Sequence, residues 1–318
     1  MRRFDVCNGD ADGLCAVLQW RLVHPAPAEL LTGAKREIEL LHTVPARAGD
    51  EVLVCDLSMQ RNLAALQRLL ADGVRVRYVD HHHVDAVPRH AGLQALIDTD
   101  ARVCTSLLMD RLLQGRCRRW ALVGAYGDNL AAVADALAAG AGLGAAQRAQ
   151  LRALGEGINY NAYGEAGDPH IAPQALYARL ARHADPLALL REDAIGDELQ
   201  ALRAADLQLA RAQPLQPAGD GARWVSLPDA AWARRVIGSF ANDLATRSPQ
   251  LAHAVLLADR QGGHAVSLRA PLATPGGADA LCRRFGGGGR AGAAGIDHLS
   301  AAELPRWLAA LAAAHWGG

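Results

Sequence analysis

The sequence predicts an α/β protein. It should have an N-terminal doubly wound, mainly parallel sheet with helices on both faces, a helical connector, and a smaller C-terminal α/β domain. Three observations carry that reading. Short apolar runs of strand length alternate with helix-period segments in the first half, which implies parallel strands joined by crossover helices. From Leu130 to about Ala212 the chain is rich in alanine and leucine and reads as helical. Pro214, Pro217 and Gly219–Gly221 then mark a linker, beyond which strands and helices alternate again.

Taken in order, Phe4–Cys7 reads as a strand and Gly13–Leu22 as a helix, with Leu14, Val17, Leu18 and Leu22 at helical spacing. Glu37–His42 and Val52–Cys55 read as strands, Arg61–Leu70 as a helix and Val74–Val79 as a strand. Arg102–Leu113 and Trp120–Ala125 continue as helices. The glycines of Gly140–Gly144 follow no strand, so they predict an inter-helix turn and not a dinucleotide fingerprint. Ile158–Tyr163 is polar and aromatic amid alanine-rich surroundings. It is expected to be a capped loop, the other reading being a lid that stacks on a base. After the linker come strand Trp224–Leu227, helix Trp232–Thr246, strands Ala254–Ala258 and Ala265–Arg269, and helix Ala278–Arg284. A glycine run, a strand near Ile296 and a helix from Ala301 follow. The expected division is a catalytic unit over 1–185, a helical linker over 186–213 and a second domain over 214–318.

The 318 residues suffice for two cores, and 33 basic against 33 acidic side chains give a formal charge of +0. That balance argues against a protein that coats long nucleic acid by bulk electrostatics. Lys35 is the single lysine, which fits a GC-rich codon bias. Cys7, Cys15, Cys55, Cys104, Cys117 and Cys282 show no paired spacing and read as reduced thiols. Arg2 and Arg3 are followed by no apolar stretch, so no export signal is expected. No 18-residue uncharged apolar run suggests a membrane span. A cytoplasmic location is expected, and a homodimer is left open.

The chemistry gathers where strands end. Asp10 and Asp12 follow the first strand, with Gly13 allowing a sharp turn. Asp56 ends the run Val52–Cys55, Asp80-His81-His82-His83 ends Val74–Val79, and Asp128 ends a short apolar segment. In a parallel sheet such ends share one edge, where ligands bind. Several carboxylates in one place repel unless cations lie between them, and oxygen ligands with one or two imidazoles suit Mn²⁺, Mg²⁺ or related ions. Two such ions can hold a hydroxide and clamp a phosphoryl oxygen. Taken alone, Asp12 reads as a helix cap and Asp56 equally as a cap or a ligand.

These motifs resemble those of the DHH phosphoesterases. Asp10-Ala11-Asp12-Gly13, Cys55-Asp56, Asp80-His81-His82 and Gly127-Asp128-Asn129 resemble that family's four signatures, in order. Val266-Ser267-Leu268-Arg269 resembles the arginine-bearing strand of the DHH-associated substrate-binding domain, and Phe285–Gly295 its glycine-rich loop. The resemblance implies that Asp10 binds one metal and Asp12 the other, that Asp56 bridges both, and that His81 and Asp128 complete the second site. His82 would face the substrate phosphate, and Asn129 would orient Asp128, with Asn8 nearby. Arg269, Gly287, Gly288, Gly289 and Arg290 would hold the rest of the substrate. Read by itself, the glycine run is an anion nest followed by a guanidinium. Two positions depart from the family: Val6 stands where many relatives have histidine, and Arg290 stands where the loop usually ends in histidine.

The resemblance implies a hydrolase that uses two divalent ions, Mn²⁺ first and Mg²⁺ or Co²⁺ as alternatives. It would cleave phosphoesters of short oligonucleotides or nucleotides by a metal-bound hydroxide, with Asp56 and His82 as its catalytic residues. A RecJ-like single-strand DNA exonuclease is the nearest alternative. A pyrophosphatase is disfavoured by the lack of a lysine-rich C-terminal motif. A silent nucleotide sensor is disfavoured by the presence of Asp56 and His81.

Overall fold

The computed structural model describes residues 1–316. The chain divides into two compact units, 1–202 and 203–318.

The first unit runs β1 (Arg3–Asn8), α1 (Ala11–Val23), β2 (Glu29–Gly33), β3 (Glu51–Cys55), α2 (Leu63–Ala71), β4 (Arg75–Asp80), β5 (Leu93–Ile97) and α3 (Thr105–Leu112). Then come α4 (Arg118–Gly127), α5 (Ala131–Gly140), α6 (Ala145–Ala162), α7 (Pro173–Leu180), α8 (Pro186–Glu192) and α9 (Ile195–Arg211), the last of which crosses the division. All five strands are parallel, in the order β2-β1-β3-β4-β5. Alternation along the strands explains why both faces are covered. Cys7, Leu53, Cys55 and Val79 join the apolar cluster of α1, α3 and α4, whereas Phe4, Val6, Val52, Val54, Val76 and Tyr78 join Leu66, Leu69 and Leu70 of α2. Helix α1 packs so deeply that Ala11–Gln19 are all buried.

Two strands differ from the sequence reading. Glu37–His42 is not a strand: its end forms a short 3₁₀ turn over Leu40–Thr43, and the strand beside β1 is Glu29–Gly33, paired Phe4↔Glu29 to Asn8↔Gly33. β5 lies at Leu93–Ile97. Both β2 and β5 are edge strands with mixed burial, so neither shows the apolar run that marks a central strand. The Gly140–Gly144 segment is the turn between α5 and α6, as expected. Ile158–Ala162, by contrast, is the last turn of α6 and neither a loop nor a lid. Asn161 there, fully buried, donates to the Ile171 carbonyl (2.7 Å) and accepts from its amide (3.0 Å). Residues 186–202 are part of this unit's core, through Leu187, Leu189, Ile195 and Leu199.

The second unit comprises β6 (Gln216–Ala218), β7 (Ala222–Leu227), α10 (Ala231–Arg247), β8 (Ala252–Ala258), β9 (Gly263–Arg269), α11 (Ala278–Arg283), β10 (Gly288–Arg290), β11 (Ala293–Ser300) and α12 (Leu304–Ala312). Its sheet runs β10-β11-β9-β8-β7-β6, and only the β7–β8 pair, joined through α10, is parallel. The Pro214–Gly221 stretch, expected as a linker, contributes the edge strand β6, hairpinned onto β7. Leu256, Leu268, Phe285 and Trp307 centre this core.

Candidate metal centre

The strand order places a topological switch between β1 and β3, where neighbouring connections leave toward opposite faces and open a crevice beyond the carboxyl ends. In-register pairing of Cys7 with Cys55, and of Cys55 with Val79, brings the residues that follow into one row. Asp10, Asp12, Asp56 and Asp80 thus meet there, joined by His81 and His82 after β4 and by Asp128 at the end of α4. Asp128 arrives from a helix C-terminus and not from a strand. A cavity of about 480 Å³ at the opposite sheet edge holds no comparable set, since its Arg3 and Arg75 both pair with Glu51.

The two aspartates of the first motif do different work from that expected. Asp10, not Asp12, caps α1: its Oδ1 accepts from the amides of Asp12 and Gly13, both at 3.1 Å. Its Oδ2 is ion-paired with the Lys35 ammonium. Asp12 points instead at the start of α3, its two oxygens accepting from the amides of Thr105 and Ser106, both at 2.7 Å. Those are unsatisfied helix N-terminal donors, and they fix the carboxylate while leaving each oxygen a lone pair. Gly124 of α4 allows this docking, because a Cβ there would lie 2.2 Å from Ser106 Oγ.

Asp56 sits in the left-handed region at φ 57°, which aspartate tolerates better than most residues, and its amide still donates to Val79 (3.1 Å). Thr105 Oγ1 donates to its Oδ1 at 3.4 Å. Burial pushes its carboxyl well above the usual range, and the charges of Asp10, Asp12, Asp128 and Asp80 push it further. Burial, with Asp12 next, raises Asp128 to about 7. Asp10 goes the other way: burial raises it, but Lys35, the Gly13 amide and Asp56 outweigh that and hold it below the ordinary value.

His81 Nδ1 lies 3.0 Å from the Val103 carbonyl, an acceptor only, so Nδ1 carries a proton, and in the neutral ring Nε2 is the nitrogen with the lone pair. That Nε2 lies 3.4 Å from Asp56 and 4.0 Å from Asp12. Ligand atoms about 2.1 Å from one octahedral ion stand about 3 Å apart in cis and about 4.2 Å in trans. Donor atoms of Asp12, His81 and Asp128 lie within 4.8 Å of one another, and so do those of Asp56, His81 and His82. Oxygen donors and an oriented imidazole fit a hard or borderline divalent cation.

His82 is held differently. Its Nδ1 is 2.7 Å from Oδ1 of Asp80, a carboxylate with no solvent exposure, while half the imidazole stays open. Burial lowers its pKa, but Asp80 outweighs burial and raises it. Asp80 as the partner of His82 was not anticipated from sequence, nor was Lys35; Asp80 stood inside a quoted motif and Lys35 outside all of them. Lys35 also donates to Asn159 Oδ1 (2.9 Å) and lies 5.3 Å from the Tyr163 ring centroid. Asn8 donates to the Lys35 carbonyl (3.2 Å). Asn129 makes no hydrogen bond to Asp128; at φ 62° it turns the chain after α4. Cys7, Cys15, Cys55 and Cys104 are buried around the centre as thiols whose pKa burial drives up, so they are inert.

In the second unit, Arg269 is held by Asn242 Oδ1 (2.6 Å), Ser267 Oγ (3.2 Å) and the Leu268 carbonyl (3.0 Å). The glycine run is not the open nest expected. Gly286 and Gly287 donate to the carbonyls of Arg283 and Cys282, and Gly288, Gly289 and Arg290 form β10, paired with Gly295, Ala294 and Ala293. Side-chain-free backbone there serves close packing, since a Cβ on Gly287 would lie 2.2 Å from the Gly295 carbonyl. Among the described residues, no helix is long and apolar enough to cross a membrane.

No protein-family model and no curated protein matches the chain. Solved structures do. A DHH-domain protein described as a member of the s1p family of ribosomal proteins aligns at 14% identity and TM-score 0.61, covering 97% of this chain and 85% of its own. Exonuclease RecJ bound to manganese aligns at 18% and 0.53, covering 99% and 91%. The pGpG-specific phosphodiesterase PggH of Vibrio cholerae aligns at 14% and 0.55, covering 98% of each. Such identities speak for the backbone alone, and on that ground the chain is built on the DHH-domain fold.

Proposed function

We propose that this protein is a divalent-metal-dependent phosphoesterase acting on short oligonucleotides or nucleotides. The observation that carries the reading is the set of buried Asp12 and Asp56 with part-buried His81 and Asp128 at the switch of the parallel sheet. His81 there turns Nδ1 to a carbonyl and Nε2 to the acids, and the carboxyls of Asp56 and Asp128 are raised by burial and by neighbouring carboxylates. These four residues would hold the ion, with Mn²⁺ as first candidate. When bound, the ion lowers the pKa of water and polarises a phosphoryl oxygen. His82, braced by Asp80, would meet the phosphate from the open side and give its proton to the leaving oxygen.

Exonuclease RecJ bound to manganese and the pGpG-specific phosphodiesterase share this fold and support a reading of phosphodiester chemistry. The near-zero net charge supports a small substrate over a long polymer. The test is incubation with Mn²⁺ and a panel of dinucleotides, 2–5-mer RNA, bisphosphorylated adenosine, cyclic dinucleotides, single-stranded DNA and pyrophosphate. Asp56→Ala is the blank. Cleavage of the dinucleotides and short RNA is expected. Preferential degradation of long single-stranded DNA would favour the exonuclease reading. If no substrate is cleaved, or the blank cleaves equally, the proposal fails.

A further inference from the structure

We infer that the Lys35 ammonium stands in for one of the two cations that the acidic cluster calls for, so that the centre takes a single divalent ion. This inference depends on the metal-binding reading above and narrows it. The first observation is the state of Asp10. It is 3% exposed, one oxygen is committed to two backbone amides and the other to Lys35, and it belongs to neither set of converging donor atoms. An ion at Asp10 would have to expel the lysine.

The second observation is how firmly Lys35 is built in. Its backbone amide donates to Ala162 (2.8 Å), its carbonyl accepts from Asn8, and its ammonium is shared by Asp10, Asn159 and the face of Tyr163. Asn159 and Tyr163 come from the end of α6 and just beyond it, so two segments distant from Lys35 converge on its one charge. Neither of these two is a strong metal ligand, and together they suit an ammonium. The third observation is compositional. Every other basic residue in the chain is arginine, yet this position holds lysine. A compact ammonium can replace an ion beside a carboxylate as a point charge, whereas a planar guanidinium presents a fixed fork of donors. Val6, on the strand that precedes the first motif, is packed among Phe4, Val54 and Tyr78 and offers no imidazole to this side.

The single lysine makes the idea directly measurable. Metal content after equilibrium dialysis against Mn²⁺, read by elemental analysis and native mass spectrometry, should be one ion per chain. In Lys35→Ala, which empties the space beside Asp10, it should rise to two, with the spin-coupled resonance signal of a Mn²⁺ pair. Two ions in the wild type, or no gain in Lys35→Ala, would overturn the inference while leaving the metal-dependent reading intact. No binding in the wild type would remove both. A second measurement needs no variant. Labelling with [¹³Cε]lysine gives one resonance, which should keep its ion-paired position when the wild type is saturated with Mg²⁺. A shift to the position of free solvated lysine would show displacement by the ion and refute the stand-in role.

Discussion

Replacing Asp80 by asparagine tests the division of labour at the centre. The side chain has no solvent exposure and its Oδ1 lies 2.7 Å from His82 Nδ1, so it braces an imidazole that no other hydrogen bond orients. Asparagine keeps the volume and an oxygen for the same N–H, and removes only the charge. Hydrogen bonds to a charged group contribute about 1.5–3 kcal/mol and neutral ones about 0.5–1.5, so the change costs about 1–2 kcal/mol. If His82 gives up its proton in the rate-limiting step, kcat on a dinucleotide falls about 5- to 30-fold, at about 1.36 kcal/mol per decade. Mn²⁺ affinity, measured by calorimetry, stays at the wild-type value because Asp80 is not a ligand. The same substitution in a His82→Gln background should have an effect of less than about twofold, since coupled residues are non-additive. Equal losses in both backgrounds, or a collapse of Mn²⁺ binding in place of kcat, would refute the bracing role.

Gly124→Ala places a methyl group 2.2 Å from Ser106 Oγ and 2.6 Å from its Cβ, in contact with the residue whose amide fixes Asp12. Overpacking of this kind should cost about 1–3 kcal/mol in urea unfolding and weaken Mn²⁺ binding with it; wild-type values of both would contradict the close-packing argument. His253 on β8 is 1% exposed with its Nδ1 unpartnered, and burial, aided by Arg223, lowers its pKa below the ordinary 6.5. Its native ring is neutral while the unfolded ring charges below about pH 6.5, so its stabilisation is complete above that pH and declines below it. Relative to His253→Leu, the wild type should therefore lose stability between pH 7 and 5, by at most about 1.4 kcal/mol per pH unit, whatever the raised carboxyls of Asp56 and Asp128 do to both proteins alike.

What could be read in the sequence, and what could not, divides along a physical line. β1, β3 and β4 announce themselves because both faces of a central parallel strand must be apolar, and the acids that end them stand out by contrast. Edge strands β2 and β5 obey no such rule, and missing β2 meant missing Lys35, two residues beyond its end and beside the end of β1. Motif spacing also fails to say which carboxylate faces which donor. Asp10 and Asp12 are interchangeable as letters, yet one is turned toward its own helix amides and a lysine, the other toward the start of α3. The glycine run misled for a related reason, since a missing side chain serves an anion and a neighbouring strand equally well, and here it admits the Gly295 carbonyl. A site of this kind is therefore legible as a set of residue types at strand ends. Its charge balance is not, because that depends on one cation delivered from an edge of the sheet where sequence pattern is weakest. An arginine at position 35 would fit the bias of this sequence, yet a lysine stands there against Asp10. On the stand-in role inferred above, that one residue bears more directly on how many ions the centre takes than any of the four acidic motifs.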